Sequence, residues 1–155
     1  MTAVALSALV ILLVLSFATA VVPMGPPEAM VIALTVAATS LEWALTVAVI
    51  AAVGQAGGKL LVFLSVRGTF LRRLPLLNKV LDNRVLTRVN GFDRRHPGHL
   101  AVVVGLSALA SVPPLVVVSP VAGSTAMRPR LFVVSAFAGR LGRFSLLALV
   151  PGLLW

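Results

Sequence analysis

The sequence predicts an all-helical protein that crosses a membrane several times, with residues 1–155 forming a single transmembrane domain. Of these residues, 59% are hydrophobic and 11% are charged, whereas a soluble domain is about 45–50% apolar and about 25% charged. Charged side chains are absent from four long runs, residues 1–27, 29–41, 43–58 and 100–127. A soluble protein of this size cannot bury so much apolar surface, so lipid must be the solvent for much of the chain.

The first predicted element is a transmembrane helix over residues 1–22, because this run is apolar and about 20 apolar residues cross a bilayer. Ala18-Thr19-Ala20 has the small-residue pattern of a signal-peptide cleavage site. No Lys or Arg precedes the apolar run, however, and a signal peptide normally begins with positive charge. We therefore favour a retained helix over a cleaved one.

The second element, residues 23–39, begins with a cluster of helix-breaking residues and continues with an apolar stretch too short to cross a membrane. The prolines of this cluster are Pro23, Pro26 and Pro27. The combination predicts a re-entrant element, which enters the membrane and leaves on the same side, hinged at these prolines. Residues 43–66 are long and apolar enough to predict the next transmembrane helix.

Residues 67–99 differ from the rest of the chain because they are strongly basic. They contain eight Lys or Arg residues and two Asp residues, which gives a net charge of +6. Apolar side chains recur every three or four residues, at Leu74, Leu77, Leu81, Val85 and Val89. This spacing predicts an amphipathic helix on the membrane surface. Because positively charged loops stay inside, we expect the segment to be cytoplasmic.

Residues 100–127 carry no charge, and as one straight helix they would be about 42 Å long, against a hydrocarbon core of about 30 Å. Prolines and a glycine interrupt the run, at Pro113, Pro114, Pro120 and Gly123. The segment is therefore predicted to form a second re-entrant hairpin hinged at these residues. Non-helical backbone at this depth must be covered by protein or face a wet cavity. A last transmembrane helix is predicted over residues 129–150.

The two halves of the chain resemble each other. Pro26-Pro27 is followed by a G-x-x-G motif at Gly54 and Gly57, and Pro113-Pro114 by a second one at Gly139 and Gly142. Each half thus places a broken element before a helix whose glycines permit close helix packing. With the basic segment inside, the broken elements open to opposite sides, as in an inverted repeat with a site near the midplane. Chance similarity between two apolar, glycine-rich stretches is the alternative.

Two arginines, Arg140 and Arg143, lie near the centre of the last predicted helix. Each costs about 2.5–3.5 kcal/mol at the bilayer centre on insertion scales. Arginine binds phosphate through two parallel hydrogen bonds, so the pair indicates an anion site, for example for a lipid phosphate. The alternative is a shallow helix whose arginines extend to the membrane surface.

A carboxylate, Glu28, lies beside the first proline cluster. An intramembrane carboxylate either pairs with a positive charge or takes up and releases protons during transport, and both interpretations are open for Glu28. A third is an interfacial carboxylate stabilised by the dipole at a helix N-terminus.

Several function classes find no support in the residues. The net charge of +9 does not indicate nucleic-acid binding, because the basic residues lie between and inside apolar segments rather than on a soluble module. The chain has no cysteine, which excludes disulfides and thiolate metal sites. Asp93, His96 and His99 are spaced like metal ligands, but Pro97-Gly98 interrupts any common helical face. We find no catalytic or cofactor motif, and we predict no enzyme, no metal site and no cofactor.

A pattern of proline, glycine and charged positions runs through both halves. The second half contains Phe92-Asp93-Arg94-Arg95-His96-Pro97-Gly98, then Pro113-Pro114, Ala122-Gly123 and Gly139-Arg140-Leu141-Gly142-Arg143-Phe144. The first half contains Pro27-Glu28, Gly54-Gln55-Ala56-Gly57 and Arg67-Gly68. This pattern resembles the VTT domain of the DedA superfamily, most closely its YqaA-like branch. The resemblance covers residues 23–150.

The resemblance implies a fold with two re-entrant hairpins that meet inside the membrane. It also implies movement of lipids between leaflets, by recycling of undecaprenyl phosphate in bacterial members and scrambling of phospholipids in relatives elsewhere. Glu28 matches the acidic position of the family's first re-entrant element. Two departures are visible. Gly58 stands where many members carry an acidic residue, and the arginines they place around the second proline element are absent from residues 100–127.

The function expected from these features is lipid transport, of the flippase or scramblase kind, in a bacterial plasma membrane. The expected partners are membrane lipids with anionic phosphate head groups, held by Arg140 and Arg143 with Glu28 as counter-charge. A homo-oligomer is expected if one short chain cannot enclose the whole path. The alternatives are a small-solute or drug exporter on an inverted-repeat scaffold and a non-transporting envelope assembly factor.

Overall fold

The computed structural model describes residues 3–22, 27–36, 40–67, 98–112 and 114–153. This part of the chain folds into six helices and is all-helical, as predicted. The helices are α1 (Ala3–Val21), α2 (Pro27–Val36), α3 (Leu41–Arg67), α4 (His99–Ala110), α5 (Leu115–Ser124) and α6 (Pro129–Leu153). Three of them, α1, α3 and α6, are long and apolar enough to cross a membrane.

The apolar surface of these helices agrees with a membrane protein. Large hydrophobic side chains remain exposed on all six helices, among them Val4, Leu6, Val14, Val36, Leu41, Val102, Val116, Val134 and Leu146. A soluble monomer rarely exposes contiguous apolar surface on this scale. Lipid is therefore the natural solvent for the outer faces.

The three segments predicted as transmembrane helices correspond to α1, α3 and α6, with small changes in their bounds. The helix predicted over 43–66 is α3, and the one predicted over 129–150 is α6. Residues 23–39 contain the short helix α2, and residues 100–127 contain α4 and α5. Residues 68–97, which hold most of the predicted surface helix, lie outside the described residues, as do Pro23, Pro26 and Pro113.

The chain forms two compact units. The first comprises residues 1–58 and 140–155, and the second residues 59–139. In the first unit, α3 packs directly on α1 through Gly54 and Gly58. A Cβ atom on Gly54 would lie 2.7 Å from the Leu13 carbonyl oxygen, and one on Gly58 would lie 2.6 Å from the Phe17 carbonyl oxygen. The two backbones are therefore in contact, as glycines four residues apart allow in membrane helices.

A buried amide reinforces this contact. Gln55 donates from Nε2 to the Ser16 carbonyl oxygen and to Thr19 Oγ1, each at 3.0 Å. Gln55 and Ser16 are almost fully buried. Hydrogen bonds of this kind hold transmembrane helices together, because a polar group in hydrocarbon has no water to bond.

The end of α2 is fixed to the beginning of α3. The Trp43 indole Nε1–H donates to the Leu34 carbonyl oxygen at 2.9 Å. Leu34 is in the last turn of α2, where carbonyl groups have no partner within the helix. The C-terminal end of α2 therefore lies beside the first turn of α3.

The second unit has a core of aromatic and aliphatic side chains. Its buried members are Phe63, Leu100, Val104, Ala108, Leu115, Val118, Ala122, Met127, Phe132 and Ala136. The rings of Phe63 and Phe132 stack with centroids 4.5 Å apart. Arg67, at the end of α3, donates from Nη1 to the Met127 carbonyl oxygen at 2.9 Å. This bond ties the end of α3 to the connection between α5 and α6.

The uncharged segment turns back at Ser111. This residue adopts φ 59° and ψ 16°, and its N–H donates to the Ser107 carbonyl oxygen at 2.8 Å, which ends α4. Pro114 then precedes the first turn of α5. Two other residues predicted as hinges, Pro120 and Gly123, lie within α5.

Candidate functional site

The two arginines named from the sequence lie deep along α6. At 1.5 Å per residue, Arg140 and Arg143 are about 17 Å and 21 Å from the start of the helix. The apolar stretch of α6, Pro129–Ala148, has 20 residues, or about 30 Å. Residues three apart share a helix face. Both guanidinium groups therefore project from one face, Arg140 just past the middle of the span and Arg143 at about seven tenths of it.

Glu28 meets both arginines. It lies in the first turn of α2, and its Oε1 accepts a hydrogen bond from Arg143 Nε at 3.2 Å. The same oxygen is 3.7 Å from Arg140 Nη1. All three residues belong to the first unit. Of the interpretations of Glu28, the structure shows pairing with arginine, and it also places the carboxylate at a helix N-terminus.

The cluster is only partly closed to its surroundings. The side chain of Arg140 is 10% exposed, that of Glu28 22% and that of Arg143 27%. The arginines therefore face a charged partner inside the unit. Arg143 and Glu28 form the more open side of the cluster, and Arg140 the more enclosed side.

Arg140 has an unused donor. Among the described residues, its Nε is buried and has no hydrogen-bond partner. A guanidinium offers five N–H donors, and leaving one buried without a partner is unfavourable. An additional acceptor, from water or from a ligand, would complete the site.

The charges of the cluster do not balance. Two guanidinium groups share one carboxylate, and the N-terminus of α2 adds a partial positive charge at the same place. The other charged residue among the described residues of the first unit is Glu42. It lies in the first turn of α3, next to the opposite end of α2. The cluster is consequently an anion-attracting site.

The remaining residues named from the sequence have diverse environments. Gly57 makes ordinary contact with the Phe17 ring, at 3.5 Å, whereas Gly139 packs against the Gly105 carbonyl oxygen and Gly123 against that of Phe63. Gly142 is partly exposed. Pro27 begins α2, and Pro114 precedes α5.

Sequence reasoning missed two structural features of the first unit. One is the packing role of Gly58, whose signal was its spacing of four residues from Gly54, the G-x-x-x-G pattern of membrane helices. The other is Gln55, an uncharged polar residue in an apolar run that finds its partners on α1. Both features position α3.

No group of metal-binding side chains occurs in the part of the chain that the structure describes. His99 is the first residue of α4, while Asp93 and His96 lie outside the described ranges. No protein-family model, curated protein or solved structure matches this chain.

Proposed function

We propose that this protein transports membrane lipids between leaflets, in the manner of a flippase or scramblase. Arg140 and Arg143 form the site for the anionic phosphate of the head group, and Glu28 is their counter-charge. The observation that supports this most is the convergence of Glu28 on two arginines midway along an apolar helix. A polar head group crossing a membrane needs such a site at the depth where water is scarce.

The length of α2 supports a re-entrant element. Its 10 residues extend about 15 Å, half of a hydrocarbon core of about 30 Å. Its C-terminal end is bonded to the start of α3, and its N-terminal Glu28 reaches arginines deep in α6. In our proposal the C-terminal end of α2 therefore lies at one membrane surface, and its N-terminal end lies near the midplane.

A second pair of short helices supports a corresponding hairpin in the other half. Helices α4 and α5 have 12 and 10 residues, about 18 Å and 15 Å. They join through the tight turn at Ser111. We propose that this hairpin enters from the cytoplasmic side, where the basic residues 67–99 belong by the positive-inside rule.

The motif resemblance to the VTT domain of the DedA superfamily favours a lipid over other anions. It makes undecaprenyl phosphate and phospholipids the first substrates to consider, and a bacterial plasma membrane the proposed location. The proposal includes assembly of several copies where one chain of 155 residues does not enclose the path.

The test is lipid movement in proteoliposomes that contain acyl-chain-labelled fluorescent lipids, quenched from outside by dithionite. We expect the wild-type protein to expose inner-leaflet lipid to the quencher. The double variant Arg140→Ala/Arg143→Ala should quench only the outer half, as protein-free vesicles do. Its matched control is Arg130→Ala, which removes an exposed arginine near the start of the same helix and should transport normally.

Folding must be checked in the same samples, by elution as a single species and by helical circular dichroism. A double variant that folds and still transports lipid rules out the arginine site. If the wild-type protein moves neither phospholipid nor undecaprenyl phosphate, lipid transport is wrong, and the exporter and assembly-factor hypotheses take its place.

A further inference from the structure

We infer that this site selects a phosphate bearing a single negative charge, as in a phosphodiester head group, and that Glu28 sets this selectivity. The inference rests on the proposed function and assigns separate roles to the two arginines. Arg140 binds the ligand directly. Arg143 holds Glu28, which acts as a fixed charge and positioning residue.

The division of roles follows from the hydrogen bonds. Arg143 Nε donates to Glu28 at 3.2 Å, a hydrogen-bond distance, whereas Arg140 Nη1 lies 3.7 Å from the same oxygen. Arg140 also retains a buried Nε without a partner among the described residues. Its donors are therefore the ones available to a new acceptor. A guanidinium binds two phosphate oxygens side by side, which a phosphodiester presents.

The charge selectivity follows from the count of charges. Glu28 cancels one of the two positive charges, and the site retains one, to which the α2 N-terminus adds a fraction. Glu42 does not change this count, because it is exposed at the far end of α2. One bound negative charge makes the site nearly neutral, while two would leave an excess negative charge in a poorly solvated place.

Lipid head groups differ in the negative charge that their phosphate carries. A phosphodiester carries one negative charge, whereas a phosphomonoester carries between one and two near neutral pH, since its second proton dissociates near pH 6. With Glu28 in place, the site therefore suits the diester, and of the lipids proposed above it favours phospholipid diesters over undecaprenyl phosphate, which is a monoester. Without Glu28 it holds two positive charges and suits the dianionic monoester.

The experiment compares the transport rates of two lipids that have identical labelled acyl chains, phosphatidylglycerol (a diester) and phosphatidic acid (a monoester), at pH 8.5. We expect wild-type protein to move the diester faster by about tenfold or more, given the size of one charge interaction at this range. Glu28→Gln should reverse the preference. Glu42→Gln makes the same chemical change at the far end of α2 and should leave the ratio as in wild type.

The outcomes separate this inference from the proposed function. If wild-type protein moves both lipids without preference, or Glu28→Gln leaves the ratio unchanged, the charge selectivity is wrong and lipid transport stands. If wild-type protein moves undecaprenyl phosphate, a monoester, but neither of these two lipids, the charge selectivity is wrong. If it moves none of the three, the proposed function itself fails.

A second measurement on wild-type protein covers the case in which Glu28→Gln does not fold. Lowering the pH from 8.5 to 6.5 converts phosphatidic acid toward its monoanion, so its transport should accelerate while that of phosphatidylglycerol stays constant. Equal pH dependence of the two lipids would overturn the inference.

Discussion

At the scale of single residues, the contact of Gly58 with α1 leaves no room for a side chain at this position. Here a Cβ atom would lie 2.6 Å from both the Phe17 carbonyl oxygen and Ala20 Cβ. Any side chain would separate α1 from α3, so a carboxylate at this position is incompatible with this packing.

The same contact predicts a difference between adjacent glycines. Gly58→Ala should destabilise the protein by about 1–3 kcal/mol, because the added methyl group overpacks a backbone contact. Gly57→Ala is the matched control, since its Cβ would meet only the Phe17 ring at 3.5 Å, an ordinary contact distance. Thermal aggregation in detergent, followed by elution profile, measures the difference. Equal loss in both variants would show that the α1–α3 contact does not decide stability.

The charged site residues could be identified from the sequence, but the contacts between them could not be predicted. Glu28, Arg140 and Arg143 stood out because charge is expensive in an apolar chain. Glu28 and Arg143 are 115 residues apart, and no local spacing rule connects residues so distant. Gly58 shows a second limit of prediction from sequence. Gly54 is followed by one glycine three residues later, Gly57, and by another four residues later, Gly58. Only the fold shows that the four-residue pair faces α1.

At the scale of elements, the turn between α4 and α5 depends on an unusual backbone conformation. Ser111 is the one non-glycine residue with positive φ in the described part of the chain. Left-handed conformation costs an L-residue about 1–2 kcal/mol relative to glycine. The turn thus stores strain at the tip of the proposed hairpin.

This strain predicts opposite effects of two substitutions. Ser111→Gly should keep or raise stability, by up to about 1 kcal/mol, because glycine adopts this conformation freely. Ser111→Val should lower it, since a β-branched residue tolerates positive φ poorly. The shift in unfolding midpoint in detergent measures both. If valine is accepted as well as glycine, the turn does not require the left-handed conformation.

The lengths of the elements were predictable, and their exact breaks were not. Long, predominantly apolar stretches predicted α3 and α6 to within a few residues of their bounds, because the pattern extends over a whole helix. Prolines indicated where the uncharged segment breaks. Ser111, which makes the turn, carries no comparable signal, because serine is common in many conformations. Pro120 lies inside α5 despite its helix-breaking tendency.

At the scale of the whole molecule, the proposed topology can be tested because the chain has no cysteine. Single cysteines would be introduced at three positions and treated with a membrane-impermeant maleimide. Ser40→Cys should react in intact cells. Lys79→Cys, in the basic segment, should react only after permeabilisation. Val112→Cys, at the tip of the proposed re-entrant hairpin, should react only after solubilisation in denaturing detergent.

Val112 is the most informative of the three positions, because 76% of this residue is exposed on the isolated chain. If Val112→Cys does not react, contacts with lipid or with other protein must shield its side chain from the reagent. Labelling of Val112→Cys in intact or merely permeabilised cells would place the tip in water and contradict the re-entrant hairpin. Labelling of Lys79→Cys from outside would reverse the orientation.

Composition alone was enough to predict the class of the molecule, because lipid solvent imposes hydrophobicity on every outward face. The division into two units was not predictable. It falls between residues 58 and 59 in α3 and between 139 and 140 in α6, at the end of the first glycine run and inside the second. Both boundaries lie at the G-x-x-G motifs that the repeat relates to each other, but no feature of the sequence indicates that α3 and α6 each contribute to both units.

The distance along the chain between Glu28 and its partners also has a consequence for biogenesis. At a synthesis rate of about 5–20 residues per second, the 115 residues between Glu28 and Arg143 correspond to about 6–23 s of translation. During that interval the carboxylate of α2 has been made and its arginines have not. In the proposed topology, α2 must therefore remain at the membrane interface during this time. It can reach its final position only after α6 has left the ribosome.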